Sequence, residues 1–162
     1  MQPRITSLDI ECAVAAHFGW RQNVTVPNVS WGLGFRHELD LIIVKPQSGY
    51  AYEAEIKVSA PDLKRDPKKN HTHESCRIRK LYFAIPKWMA ESIVFVPEKA
   101  GVFLVSDGGY CELARTARLN KDAKPLSQNE MEKLYHLASM RTWSLKETLR
   151  QRIKRSRVHA TS

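Results

Sequence analysis

His37-Glu38-Leu39-Asp40-Leu41-Ile42-Ile43-Val44 and Tyr50-Ala51-Tyr52-Glu53-Ala54-Glu55-Ile56-Lys57-Val58 flank the turn-forming Pro46-Gln47-Ser48-Gly49. The two runs read as a β-hairpin. Side chains alternate along a strand, so Glu53, Glu55 and Lys57 share one face and Tyr52, Ala54, Ile56 and Val58 take the other. Leu41 to Val44 is apolar on both faces, which suits a covered central strand with Asp40 at its mouth, placed to meet Glu55 across the pair. The plainest reading of such a hairpin is a polar face turned to water. Acids and a lysine beside so much Leu, Ile and Val support a second reading, because buried ions require pairing or a metal. Asp40 and Glu55 offer the oxygen donors that Mg²⁺ takes, and a lysine beside them can orient or activate an attacking water. That combination suits cleavage of phosphodiesters.

The segment from Ser7 to Phe18 reads as a helix with Thr6 or Ser7 as N-cap, and Glu11 is its only formal charge between Ile10 and Trp20. Glu11 has three readings: facing water, pairing with a base, or pointing into the Asp40–Glu55 site. A strand interrupted by Pro27 is expected over Asn23 to Val29, then a turn at Trp31-Gly32-Leu33-Gly34. Downstream, Asp62 starts a helix broken by Pro67, and Leu81 to Ile85 is a buried strand ended by Pro86. Met89 to Phe95 is a short helix, and a hairpin turns at Asp107-Gly108-Gly109. Ala114 to Pro125 reads as a polar linker. Capping boxes at Ser127/Glu130 and Ser144/Glu147 open two C-terminal helices. The first carries an apolar stripe of Met131, Leu134, Tyr135 and Ala138. The second has a narrow seam of Leu145, Leu149 and Ile153 among Arg and Lys, open to docking on the domain, cradling DNA or binding another subunit as a homodimer.

Glu11, Asp40 and Glu55-Ile56-Lys57, on helix, strand and strand in that order, resemble the PD-(D/E)XK nuclease superfamily. Glu55-Ile56-Lys57-Val58-Ser59 with Asp62 and Asp66-Pro67-Lys68 is similar more specifically to the MmcB-like DNA repair proteins. So are Leu81-Tyr82-Phe83-Ala84-Ile85-Pro86, Pro97-Glu98-Lys99-Ala100-Gly101-Val102 and Asp107. The likeness spans about residues 5 to 140. It implies an α/β, restriction-endonuclease-like core, with a mixed central sheet flanked by helices, acting on DNA with Mg²⁺, for which Mn²⁺ can substitute. In that frame Asp40 and Glu55 ligate the metal, Glu11 supports a ligand water or second metal, and Lys57 positions or deprotonates the nucleophile. Leu39 stands where the superfamily's name has proline, Lys69 where the closer family has tryptophan, and Arg79 where it has an acid. These departures make the neighbourhood more basic.

Charge points the same way. Lys and Arg number 26 against 17 acids, a formal net charge of +9, which favours a polyanionic partner. Lys64, Arg65, Lys68, Lys69, Arg77 and Arg79 form one cluster, and Arg150, Arg152, Lys154 and Arg155 belong to a second; both are assigned to nucleic acid. With 162 residues and 43% hydrophobic content the chain suits one substantial core, drawn as a domain over 1–140 and a basic helix and tail over 141–162. Without an apolar span or a signal-peptide pattern, and with the odd set Cys12, Cys76 and Cys111, a cytoplasmic protein without a membrane partner is expected. His71, His73 and Cys76 fall short of a four-ligand zinc site. A DNA-binding module that does not cut, and a protein-interaction adaptor, are the alternatives on the same fold.

Overall fold

A computed structural model describes residues 5–30, 32–35, 37–65 and 75–160. The chain is α/β. A sheet of order β1-β2-β3-β4-β5-β6 is flanked by helices. The elements are α1 (Ser7–His17), β1 (Val24–Val29), β2 (Leu39–Val44), β3 (Ala51–Ile56), α2 (Ala60–Arg65), β4 (Ile78–Pro86), a 3₁₀ helix (Lys87–Phe95), β5 (Gly101–Val105), β6 (Cys111–Arg115) and α3 (Gln128–Ala160). β3, β4 and β5 run parallel to one another, and the remaining neighbours pair antiparallel. The sheet is therefore mixed.

Local chemistry accounts for the element ends. Thr6 caps α1 in a capping box with Asp9, the Asp9 N–H donating to Thr6 Oγ1 at 3.2 Å and the Thr6 N–H to Asp9 Oδ2 at 2.8 Å. Pro27 sits in β1, the edge strand, where a missing N–H is tolerated. The β2–β3 turn closes with Gly49 at φ +67°, and a Cβ there would also lie 3.1 Å from Pro125.

The strand pleat divides the sheet into two faces. Under α1, Ile10, Ala13 and Val14 pack on Leu41, Ile43, Ala54, Tyr82, Ala84, Phe103 and Val105. The opposite face carries two apolar clusters. In one, Ile42, Val44, Ala51 and Ile78 meet Leu134 and Leu137 of α3; in the other, Leu81, Phe83, Ile85, Val102 and Leu104 meet Leu63 of α2 and Met89 of the 3₁₀ helix. β2 is covered, as its apolar run requires.

Three expectations are corrected. Residues 116–127 are a strap rather than a linker: Ala117, Ala123 and Leu126 are buried, and the N–H groups of Asn120, Lys124 and Leu126 donate to the carbonyls of Arg79, Cys76 and Gly49. Ser144 caps no helix. α3 runs unbroken through it, Ser144 O accepts from Thr148 Oγ1, and Glu147 is engaged by Arg150 and Gln151. The Ser127/Glu130 box does form, with the Ser127 N–H 2.8 Å from Glu130 Oε2 and the Glu130 N–H 3.3 Å from Ser127 Oγ. Along α3 the buried stripe uses Leu134 and Leu137 while Tyr135 is exposed, because the strand layer beneath selects the side of the helix.

From Thr142 through Ser156 every side chain of α3 is exposed. The 33-residue helix is about 50 Å long at 1.5 Å per residue, so its second half extends beyond the body. Leu145, Leu149 and Ile153 thus do not dock on the described residues of the domain. The division drawn at 140/141 falls inside the continuous α3, where the Arg141 side chain still donates to Asn28 O at 2.6 Å.

Gly101, inside the Pro-Glu-Lys-Ala-Gly stretch, is a packing constraint. A Cβ there would meet the Tyr82 ring at 2.5 and 2.6 Å and the Ala117 N at 2.7 Å. Gly101→Ala should therefore cost about 1–3 kcal/mol of unfolding free energy by overpacking. Gly108→Ala, whose Cβ would meet only Ser106 Oγ at 3.9 Å, should stay within about 0.5 kcal/mol. Chemical denaturation of both variants checks the contrast.

Candidate functional site

β3 carries Glu53 and Glu55 on the face opposite α1, directly in the seam between the two apolar clusters. Glu53 pairs with Ile42 on one side and Leu81 on the other, and Glu55 pairs with Phe83. Glu53 is 0% exposed, and Glu55 and Lys57 are each 4% exposed. The reading of a hairpin with a water-facing polar side is thus overturned. Burial at such depth requires compensation of each charge, and the sequence supplies it two residues away.

Lys57 Nζ donates to Glu55 Oε1 at 2.5 Å, a contact that exists because residues two apart on an extended chain share a face. The Lys57 N–H donates to Ala84 O at 3.0 Å, which anchors the residue just past the end of β3. Beyond it, Asp62 Oδ2 of α2 lies 3.9 Å from the same ammonium, and Arg65 lies 3.9 Å from Asp62 Oδ1. A charge relay runs from the buried strand end to the surface of α2.

Asp40 reaches this strand end from β2. One step beyond the last Leu41/Ala54 pair, the antiparallel register sets Asp40 opposite Glu55. Asp40 Oδ2 accepts the Ile56 N–H at 2.7 Å, which holds the carboxylate at the mouth. Glu11, from α1, is partly buried. Desolvation first, and the Asp40 charge second, hold its carboxyl above the ordinary range. Of the three readings of Glu11, the one that directs it toward Asp40 agrees with this coupling. The hairpin and α1 therefore bring Glu11, Asp40, Glu55 and Lys57 to one end of the sheet.

Two further residues belong to this end. His37 Nε2 lies 2.8 Å from Glu53 Oε1, with side chains 10% and 0% exposed. One donor atom from each of His37, Glu53 and Glu55 lies within 4.8 Å of the others. Sequence reasoning placed Glu53 on the face of Glu55 but gave it no role. His37 was harder to find, because it comes from the loop before β2 and not from the strand register.

The basic residues do not form one surface. Lys64 and Arg65 lie on α2 next to the relay, with Lys64 Nζ 4.5 Å from the Phe95 ring. Arg77 is bound to Glu130 at 2.8 Å, and Arg79 stacks on Tyr50 at 3.9 Å. They flank Ile78, the first residue of β4, which pairs with Ala51 about 13 Å along the strand from Glu55. There a cleft of about 530 Å³ is lined by Arg79, Lys99, Arg118 and Asn120. It lies toward the opposite end of β3 and β4 from Asp40, Glu55 and Lys57. Lys68 and Lys69, with Asp66, Pro67, His71 and His73, lie outside the described residues. Arg150, Arg152, Lys154 and Arg155 are exposed on the emergent half of α3. Hydrogen bonds from Arg150 and then Gln151 hold the Glu147 carboxyl down at about 2, so the one acid among them stays ionised and paired.

A carboxyl held up in the folded chain binds its proton more tightly there than in the unfolded chain. Its contribution to stability is present at low pH and is lost as pH rises from the ordinary 4.5 through the raised folded value. In metal-free protein, Glu11→Gln should therefore match the parent at about pH 4 and exceed it in stability at about pH 7.5. Urea denaturation at the two pH values measures the difference, and a constant difference would remove the raised Glu11.

A scan against protein-family models, a search of curated proteins and a search of solved structures each found no match to this chain.

Proposed function

We propose that this chain is a metal-dependent nuclease that hydrolyses DNA phosphodiesters in repair or recombination, on a restriction-endonuclease-like arrangement of its α/β core. The observation that carries the reading is the buried Glu55–Lys57 ion pair at the end of β3, beside Asp40 and within the field of Glu11. The all-oxygen donors Asp40 and Glu55 fit Mg²⁺, with Mn²⁺ able to replace it. When bound, the ion would polarise the scissile phosphate and acidify a water.

The chain's own residues divide the remaining work. Glu55 holds the lysine ammonium within the seam, and Asp40 is fixed at the mouth by the Ile56 N–H. Lys57 positions the attacking water and offsets charge developing on the phosphate, with Asp62 as its outward neighbour. Glu11 orders a water at the same opening. Lys64 and Arg65 supply phosphate contacts on the near side, and the exposed Arg150, Arg152, Lys154 and Arg155 supply more distant ones.

A second reading, a DNA-binding module or adaptor that does not cut, is favoured by one observation. Leu145, Leu149 and Ile153 stay 67%, 58% and 45% exposed on the emergent helix, an apolar seam that phosphate binding does not use.

Lys57→Met keeps most of the aliphatic stem while removing the ammonium. It should lower the Mg²⁺-supported cleavage rate on duplex, nicked, flapped and four-way DNA by about 10²–10⁴-fold. DNA affinity in Ca²⁺ should be unchanged. Cleavage at the parent rate by a folded variant would remove Lys57 from the chemistry, and no cleavage of any such DNA by the parent with Mg²⁺ or Mn²⁺ would select the second reading.

Deletion of the residues after Thr142 tests the helix. Because the side chains from Trp143 to Ser156 are all exposed, the melting temperature should hold. The slope of log affinity against log salt on duplex DNA should flatten by several units, about 0.9 for each phosphate that the helix no longer neutralises. An unchanged slope would take the helix off the DNA surface.

A further inference from the structure

We infer that His37, Glu53 and Glu55 form a site for one first-row transition ion, distinct in its ligand set from the Mg²⁺ position at Asp40 and Glu55. The two share Glu55. The inference goes beyond the hydrolytic reading and stands without it, since it concerns ion binding alone.

The geometry comes first. The three donor atoms lie within 4.8 Å of one another, and His37 Nε2 is already 2.8 Å from Glu53 Oε1. Nitrogen and oxygen donors sit about 2.0–2.2 Å from a bound transition ion, so any two of them lie at most about 4.4 Å apart. Closing the set around an ion thus needs side-chain shifts of under about 1 Å, which rotation of the His37 ring and the two glutamate carboxyls can supply. β3 needs no movement, because Glu53 and Glu55 already point to the same side of it.

Donor chemistry selects the ion. An imidazole with two carboxylates suits Mn²⁺, Co²⁺ or Zn²⁺, whereas Mg²⁺ favours oxygen donors and keeps several waters. Electrostatics favours occupancy: a divalent ion would offset the negative charge that Glu53 and Glu55 bring into the buried seam. Lys57 already engages Glu55 Oε1. Asp62 Oδ2, 3.9 Å from its ammonium, is an alternative acceptor when an ion takes up Glu55.

The experiment uses the full chain, stripped with chelator and titrated with Co²⁺ and Mn²⁺ in the absence of DNA. One equivalent of Co²⁺ should bind, and Mg²⁺ should fail to displace it at tenfold excess, on the order expected from the nitrogen donor. Pulsed EPR of the Mn²⁺ complex should show coupling to an imidazole nitrogen. His37→Gln, in a loop outside the strands, should abolish that coupling and weaken Co²⁺ binding by about tenfold or more. Glu53→Gln should weaken it similarly, and circular dichroism confirms that each variant is folded. Asp40→Asn should leave Co²⁺ affinity unchanged while weakening Mg²⁺. An absent nitrogen coupling in the parent, unchanged Co²⁺ affinity in folded His37→Gln, or loss of Co²⁺ binding in Asp40→Asn would each overturn the site. Binding as expected in a chain that cuts no DNA would retain this site and discard the nuclease.

Discussion

Burial of Glu53, Glu55 and Lys57 on β3 is the constraint on which the rest depends. Taking an ion out of water costs several kcal/mol even after relaxation, so a strand with such side chains survives at the centre of a sheet only if its surroundings answer each charge. The answers come from Lys57 to Glu55, from His37 to Glu53 and from Asp62 outward to Lys57. A hydrophobic strand in this position would be easier to fold. That the chain instead builds polar compensation around it supports a role for these groups beyond stability.

The covering layers make room for that strand. On the α1 side the sheet is closed by one apolar cluster, whereas on the other side α3 covers one end and α2 with the 3₁₀ helix covers the other. Glu53 and Glu55 occupy the line between those two coverings. Side chains from the loop before β2 and from α2 can reach them there, while a single long helix across the whole face would have sealed them off. Asp40 and Glu11 approach the same strand end from its mouth, so the acids surround it from both faces of the sheet.

Positive charge is distributed by the fold more than by sequence proximity. Arg77 and Arg79 are near Lys64 and Arg65 along the chain, yet β4 begins at the far end of the sheet and gives those arginines to Glu130 and Tyr50. Arg150 to Arg155, remote in sequence, stand free of the body on α3. That helix combines a packed N-terminal half, anchored by Leu134 and Leu137, with a solvated half whose basic faces surround an apolar seam. Among the described residues no helix is long and apolar enough to cross a membrane.

Local rules in the sequence determined much of this protein. Alternation in 37–58 specified the hairpin, the covering of β2 and the common face of Glu53, Glu55 and Lys57. Thr6/Asp9 and Ser127/Glu130 specified helix starts, and Asp107-Gly108-Gly109 specified the β5–β6 turn, because capping and turn chemistry act over a few residues. Ser144 and Glu147 carried the same local signal and formed no cap, since an uninterrupted α3 already satisfied the main-chain groups that a cap would serve. Only the tertiary structure decided that Glu53 meets His37, that residues 116–127 strap the sheet, and that Leu137 rather than Tyr135 is buried. Each depends on which layer lies opposite, a relation between distant segments that no period or spacing in one segment encodes. Depth of burial was also decided there, and it turned a row of alternating charges on β3 into a compensated polar centre.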